Sequence, residues 1–169
     1  RRTLMTSVPG AAITSIKIDG VQHEFSSIDG ILEDVSDIIL NLKGVVFKTI
    51  NDGPEQIHLS LKGPLEFRAK DIQSQLNDFE VLNPDQLIAT LNDKASLEID
   101  IRVSRGKGYS SASKNKRSDD VIGTIPVDSI FNPITNVSWE VESIPTSTES
   151  QERLLMEVHS NGATKPKDA

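Results

Sequence analysis

The chain has 169 residues, 36% of them apolar, which is enough to bury the core of one domain or of two small lobes. It has no cysteine, which excludes disulfide frameworks, cysteine-ligated zinc and thiol nucleophiles and agrees with a cytoplasmic location. The net charge is −7, whereas proteins that bind DNA phosphates directly usually carry a basic excess, and the apolar runs are too short to span a membrane.

The N-terminal third predicts a helix end, a strand and a second helix. Residues 1–5 are typical of the last turns of a helix, and residues 11–18 alternate as a strand does. Residues 33–43 are the clearest helix, because apolar residues recur there at helical spacing, at Val35, Ile38, Ile39 and Leu42.

The rest of the chain predicts mainly short strands, with a possible helical turn at 71–76. These strands cover residues 45–49, 56–62, 65–69, 87–91, 97–103, 122–127, 137–143 and 153–159. Residues 110–120 are polar and without periodicity, which predicts a mobile loop. The fold class is therefore α+β, dominated by antiparallel strands.

The two ends indicate a piece of a longer protein. The chain starts without methionine inside an expected helix, and Thr164 and Pro166 are typical of a helix start just before the last residue.

No catalytic, cofactor or metal site is predicted. His23, His58 and His159 are scattered, and we interpret them as packing or surface residues, with His58 on a solvated strand face. The run 105–109 (RGKGY) looks like a phosphate loop, but no helix follows it, so a tight glycine turn is favoured. An enzyme would need a polar pocket around His23 or around Glu98 and Asp100.

One stretch carries a family signature. Residues 20–30 (GVQHEFSSIDG) and 33–44 (EDVSDIILNLKG) resemble a characteristic segment of the RNA polymerase alpha-subunit family. Further motifs follow in the order expected of that family, namely RRTL at 1–4, SVPG at 7–10, RGKGY at 105–109, VDSIFNP at 127–133 and NG at 161–162.

The resemblance implies a β-rich insert domain plus part of a split α+β dimerisation domain. Residues 9–133 would form the insert domain, and residues 1–8 and 134–169 would belong to the dimerisation domain. The long dimerisation helix would lie outside this chain, so a monomer or weak dimer is expected.

The implied role is a non-catalytic scaffold that pairs with a second alpha subunit and then binds the beta and beta-prime subunits. By position in the family motifs, the residues implied to face beta are Arg1, Arg2, Leu4, His23 and Glu24, with the stretch 26–30 nearby. Those implied to face beta-prime are Lys43, Val127 and Ile134. A transcription activator would meet Ser118, Asp119 and Asp120, and no direct DNA or membrane contact is expected.

The sequence departs from the family pattern at residues 141–154, where an arginine, a glycine and a Thr-Asp element are missing. Thr135 and Asn136 also replace a basic pair. These departures suggest a divergent lineage or a shifted partner surface. They leave one alternative, a stand-alone β-rich module that binds proteins outside polymerase.

Overall fold

The computed structural model describes residues 1–145 and 151–169, and it confirms a strand-rich α+β fold. The helices are α1 (Arg2–Thr6), α2 (Val35–Lys43), α3 (Ala69–Gln73) and α4 (Ala112–Asn115). The strands are β1 (Pro9–Ile18), β2 (Phe47–Thr49), β3 (Glu55–Lys62), β4 (Leu65–Arg68), β5 (Phe79–Val81), β6 (Leu87–Leu91), β7 (Ser96–Lys107), β8 (Tyr109–Ser110), β9 (Thr124–Pro126), β10 (Ser129–Ile130), β11 (Ile134–Ser143) and β12 (Glu152–Ser160).

Strand β1 is the centre of the main antiparallel sheet, whose order is β3-β7-β1-β2-β5. One edge of β1 pairs with β7 along its whole length. The other edge pairs with β2 near its start and with β9 near its end. A bulge at Thr14 shifts the register between Ile13 and Ser15. Smaller two-stranded sheets join β4 to β6, β8 to β10, and β11 to β12.

The main core lies under one face of this sheet. Alternate residues of β7 point into it because side chains in a strand alternate between faces, and the buried set is Leu97, Ile99, Ile101 and Val103. Helix α2 adds its apolar stripe of Val35, Ile38 and Leu42. The helix predicted at 33–43 is thus confirmed, with Asp34 as its N-cap residue.

A second, smaller apolar cluster joins the two ends of the chain. Val8, Ile134 and Val137 are buried in it, and Leu4, Met5 and Val158 pack against it. Asn132 fastens this junction, because its side-chain amide donates hydrogen bonds to the backbone oxygens of Met5 (2.7 Å) and Ile134 (2.9 Å). Helix α1 is therefore held against the base of the β11–β12 ribbon.

The glycine-rich run 105–109 differs from the expected tight turn. Strand β7 continues through Arg105, Gly106 and Lys107, and the chain turns only at Gly108, whose φ is +60°. Gly106 fits this strand because a Cβ there would lie 2.7 Å from the ring of Phe131.

The polar segment 110–120 is not the featureless loop that was expected. It contains α4, and Asn115 within it reaches into the protein. The Asn115 amide donates to the backbone oxygen of Val127 (2.6 Å) and to Ser129 Oγ (2.9 Å). These hydrogen bonds from Asn115 therefore fix the segment to the protein core, although its composition predicts mobility.

Smaller differences concern short elements. Strand β5 was not predicted, and α3 begins at Ala69 instead of residue 71. The helix start expected at Thr164 is a turn, closed by a hydrogen bond from the Asp168 N–H to the Lys165 oxygen (2.9 Å). Of the divergent stretch 141–154, residues 146–150 lie outside the described residues.

Candidate protein-interaction surfaces

Helix α1 packs its apolar side against the small cluster, and the positive charges at its start are exposed. Leu4 is half-buried against the small apolar cluster, whereas Arg1 and Arg2 are exposed at the start of the helix. Thr6 Oγ1 donates to the backbone oxygen of Arg2 (2.9 Å), which supports this short helix. Two guanidinium groups at a fixed site can each bind a carboxylate in a planar, two-pronged geometry.

The β11–β12 ribbon exposes an apolar face next to α1. Its register places Trp139 opposite Met156 and Val141 opposite Leu154, and side chains directly opposite each other share one face of the ribbon. At the base of this face, the Val137–Val158 pair is covered by the apolar cluster that includes Leu4 and Met5. Towards the tip, the four side chains remain 46% to 57% exposed. An uncovered apolar face that continues a buried cluster marks a surface for further polypeptide.

The loop between β1 and α2 carries the other residues implied to face beta. His23 and Glu24 are exposed, and the neighbouring Phe25 is 83% exposed. His23 Nδ1 lies 3.2 Å from Ser26 Oγ. The backbone oxygen of Ser26 accepts a hydrogen bond from the N–H of Val35, the first residue of α2 (3.0 Å). The loop is thereby attached to the helix and offers a mixed polar and aromatic surface.

The residues implied to face beta-prime separate into one surface residue and two buried ones. Lys43 Nζ, at the end of α2, lies 2.7 Å from Asp128 Oδ2. Val127 and Ile134 are only 3% and 2% exposed, because Val127 belongs to the main core and Ile134 to the small cluster. Their side chains therefore cannot offer a contact surface in this conformation. Beside Lys43 lies a cavity of about 280 Å³ that reaches Asp128 and Asn161.

The segment implied to meet an activator is divided in a similar way. Ser118 and Asp119 are exposed, but the Asp120 side chain is only 8% exposed and lies 2.9 Å from Arg102 Nη1. Asp120 also accepts the backbone N–H of Arg117 (2.8 Å). Burial alone would raise the pKa of Asp120, but these hydrogen bonds and the positive charge of Arg102 outweigh burial and lower it. Asp120 thus supports the fold, and only its two neighbours are available to a partner.

The acidic pair Glu98 and Asp100 is part of an exposed cluster on β3 and β7. His58 Nδ1 lies 2.7 Å from Asp100 Oδ1, and His58 Nε2 lies 2.9 Å from Glu98 Oε2. Ser60 Oγ donates to Glu98 Oε1 at 2.5 Å. The hydrogen bond to Asp100 raises the pKa of His58, desolvation opposes this, and the charge of Asp100 together with the hydrogen bond and charge of Glu98 raises it further.

This arrangement is unlike a nucleophilic triad, because the serine bonds a carboxylate and both imidazole nitrogens are already occupied by carboxylates. The predicted position of His58 on a solvated strand face is confirmed, since its side chain is 59% exposed. Within residues 1–145 and 151–169, no group of three or more acidic or histidine side chains is arranged to hold a metal ion. In the same residues, no helix is long and apolar enough to cross a membrane.

Sequence reasoning missed the apolar face of the β11–β12 ribbon. Trp139 and Val141 on one strand, and Leu154 and Met156 on the other, follow the period of two that marks one strand face. That signal was present in the sequence, but it does not reveal whether the face is covered. The Lys43–Asp128 pair was also missed, because 85 residues separate its members.

Comparison with known proteins shows which sequences this chain is similar to. Residues 16–132 match the family model described as the RNA polymerase Rpb3/RpoA insert domain. Over its full length the chain is 51% identical to the DNA-directed RNA polymerase subunit alpha of Chloroherpeton thalassium. It is 48% identical to the subunit of Salinibacter ruber and 49% identical to that of Leptospira biflexa. The match covers 52% to 53% of these relatives, so the chain spans about half their length.

Proposed function

The chain belongs to the RNA polymerase Rpb3/RpoA insert-domain family, and we propose that it is a non-catalytic assembly portion of a bacterial polymerase alpha subunit. Its role is to hold other polypeptides: a second alpha subunit, the beta subunit and the beta-prime subunit. We place this role in the cytoplasm, because a chain without cysteine is compatible with a reducing compartment.

The observation that carries this proposal is the open apolar face of the β11–β12 ribbon beside the exposed arginines of α1. Large uncovered apolar side chains cost free energy in water, so this face is built to be covered by polypeptide. We assign residues 1–8 and 134–169 to part of the dimerisation domain and residues 9–133 to the insert domain. Two separate apolar clusters support this division, one drawn from residues 13–127 and one from the two ends.

Within this proposal, beta is bound through Arg1, Arg2 and Leu4 on α1 and through His23 and Glu24 on the loop before α2. Arginine side chains at an interface are frequent sites of high binding energy, because the guanidinium group makes several directed hydrogen bonds. For beta-prime, Lys43 is the accessible contact, whereas Val127 and Ile134 are buried and contribute through packing of the two cores. Ser118 and Asp119 are the exposed residues available to an activator.

Affinity purification of the tagged full-length protein from its native cells tests the role. The scaffold role requires that beta and beta-prime accompany the protein in stoichiometric amounts. Purification without either subunit would favour the alternative, a stand-alone β-rich module that binds other proteins.

A further inference from the structure

A basic pocket lies between the end of β7 and the segment that contains α4. Its volume is about 400 Å³, and its lining includes four cationic side chains and no carboxylate: Arg105, Lys107, Lys114 and Arg117. In a chain with a net charge of −7, such a local excess of positive charge is a distinct surface feature. None of these four residues is among those assigned above to beta, beta-prime or an activator.

Most of these charges are available to a ligand. Arg105 is paired with Asp52. Among residues 1–145 and 151–169, no carboxylate oxygen lies within 4.0 Å of the side-chain nitrogens of Lys107, Lys114 or Arg117, although the Asp120 carboxylate accepts the backbone N–H of Arg117. Like charges gathered in one pocket repel each other, and an anionic ligand relieves that repulsion.

The pocket is held in shape by buried and partly buried hydrogen bonds. Asn115 accepts a hydrogen bond from Ser110 Oγ (2.8 Å) and donates to Ser129 Oγ (2.9 Å). Ser129 Oγ in turn donates to the backbone oxygen of Ile13 (2.6 Å), in the central strand of the sheet. The floor is the buried ring of Phe131 packed beneath Gly106. The two sides that carry the cations are therefore fixed relative to each other, which lowers the entropy cost of binding.

We propose that this pocket binds an acidic segment of a partner protein that carries an apolar side chain next to its carboxylates. Tyr109 lines the pocket, and its cross-strand partner Ile130 lies beside it, both of them well exposed. This apolar pair would receive the apolar side chain while the cations bind the carboxylates. Nucleic acid is disfavoured, because phosphate binding gains from an overall positive field and this chain has a net charge of −7.

The test is fluorescence anisotropy with the full-length alpha subunit at low salt. The probe is a fluorescein-labelled peptide that alternates Glu and Asp with Leu and Phe, and the matched control peptide carries Gln and Asn instead. Reversal of two pocket charges (K107E/K114E) should weaken binding of the acidic peptide by about 10-fold or more, because charge complementarity is lost. The control variant K62E/K70E has the same net charge but alters exposed lysines outside the pocket, and it should change binding by less than about 2-fold.

A neutral variant, K107Q/K114Q, separates charge loss from any folding defect and should show an intermediate loss of affinity. The proposal is overturned if the acidic peptide does not bind, if K62E/K70E weakens it as much as K107E/K114E, or if single-stranded DNA of 12 nucleotides binds more tightly. Because no subunit-assembly residue is altered, recovery of beta and beta-prime in these variants separates failure of this proposal from failure of the assembly role.

Discussion

Trp139 and Met156 face each other across the β11–β12 ribbon, and their side chains are 57% and 47% exposed. They continue the face on which Val137 and Val158 meet the small apolar cluster that contains Leu4 and Met5. The ribbon therefore passes from a covered base to an uncovered tip along one strand face.

Trp139 reports directly on this uncovered face, because it is the only tryptophan in the chain. In the 169-residue chain we expect its fluorescence to be readily quenched by acrylamide, since half of the indole contacts water. Emission and quenching typical of a buried indole at micromolar concentration would contradict an open face. If self-association protects Trp139 from the quencher, the protection is lost on dilution. If contacts within one chain protect it, the protection persists on dilution.

Ile101 tests the position of the main core. Its side chain lies fully buried in β7, and Ile101→Ala should lower the free energy of unfolding by about 2–5 kcal/mol through lost packing and a new cavity. The matched control is Ile122→Ala at a 93% exposed side chain, which should change stability by less than about 0.5 kcal/mol. Urea unfolding measures both, and equal effects would contradict the core assignment.

His58 should titrate above its ordinary pKa of 6.5, because the hydrogen bond to Asp100 stabilises the imidazolium. A folded-state pKa above the unfolded value means that this contribution to stability is fully present below pH 6.5. It is lost as the pH rises through the folded-state pKa. An NMR titration of the His58 ring should show the raised pKa, and Asp100→Asn should lower it. An unchanged pKa in Asp100→Asn would refute this cause.

The pH dependence of stability at Asp120 should be opposite to that at His58, because hydrogen bonds from Arg117 and Arg102 lower the folded-state pKa of Asp120. Its contribution to stability is present above the ordinary pKa of 3.8 and is lost as the pH falls through the lowered value. At pH 7, Asp120→Asn should destabilise the fold by about 1.5–3 kcal/mol, as expected for loss of a charge-assisted hydrogen bond. Asp119→Asn, at an exposed neighbour, is the control in the same thermal unfolding assay, and an equal loss there would contradict the assignment.

Regular elements could be predicted from the sequence because their periodicity is local. Helix α2 and the buried face of β7 follow directly from apolar spacing. Strand β5 could not be predicted, because its three residues are too few to define a period. The extension of β7 through Gly106 depends on the ring of Phe131, which lies 25 residues further along the chain.

Contact surfaces were less predictable, because burial depends on partners distant in sequence. The polar segment 110–120 looks mobile from its composition, but Asn115 is held by Val127 and Ser129. The motif resemblance likewise implied a partner contact for Val127, but it could not reveal that this side chain is buried. The motifs therefore indicated the family, whereas the fold was needed to show which of the candidate residues are exposed to a partner.

The most direct test of the assembly role is recovery of beta by the full-length alpha subunit carrying Arg2→Ala. Arg2 is exposed on α1, so its loss should leave the fold intact but weaken beta binding by on the order of 2–5 kcal/mol if its partner charge stays buried. Lys62→Ala, at an exposed residue on β3, is the matched control. A pull-down in which Arg2→Ala loses beta and Lys62→Ala retains it is the predicted result, whereas normal recovery of beta by Arg2→Ala would contradict the account.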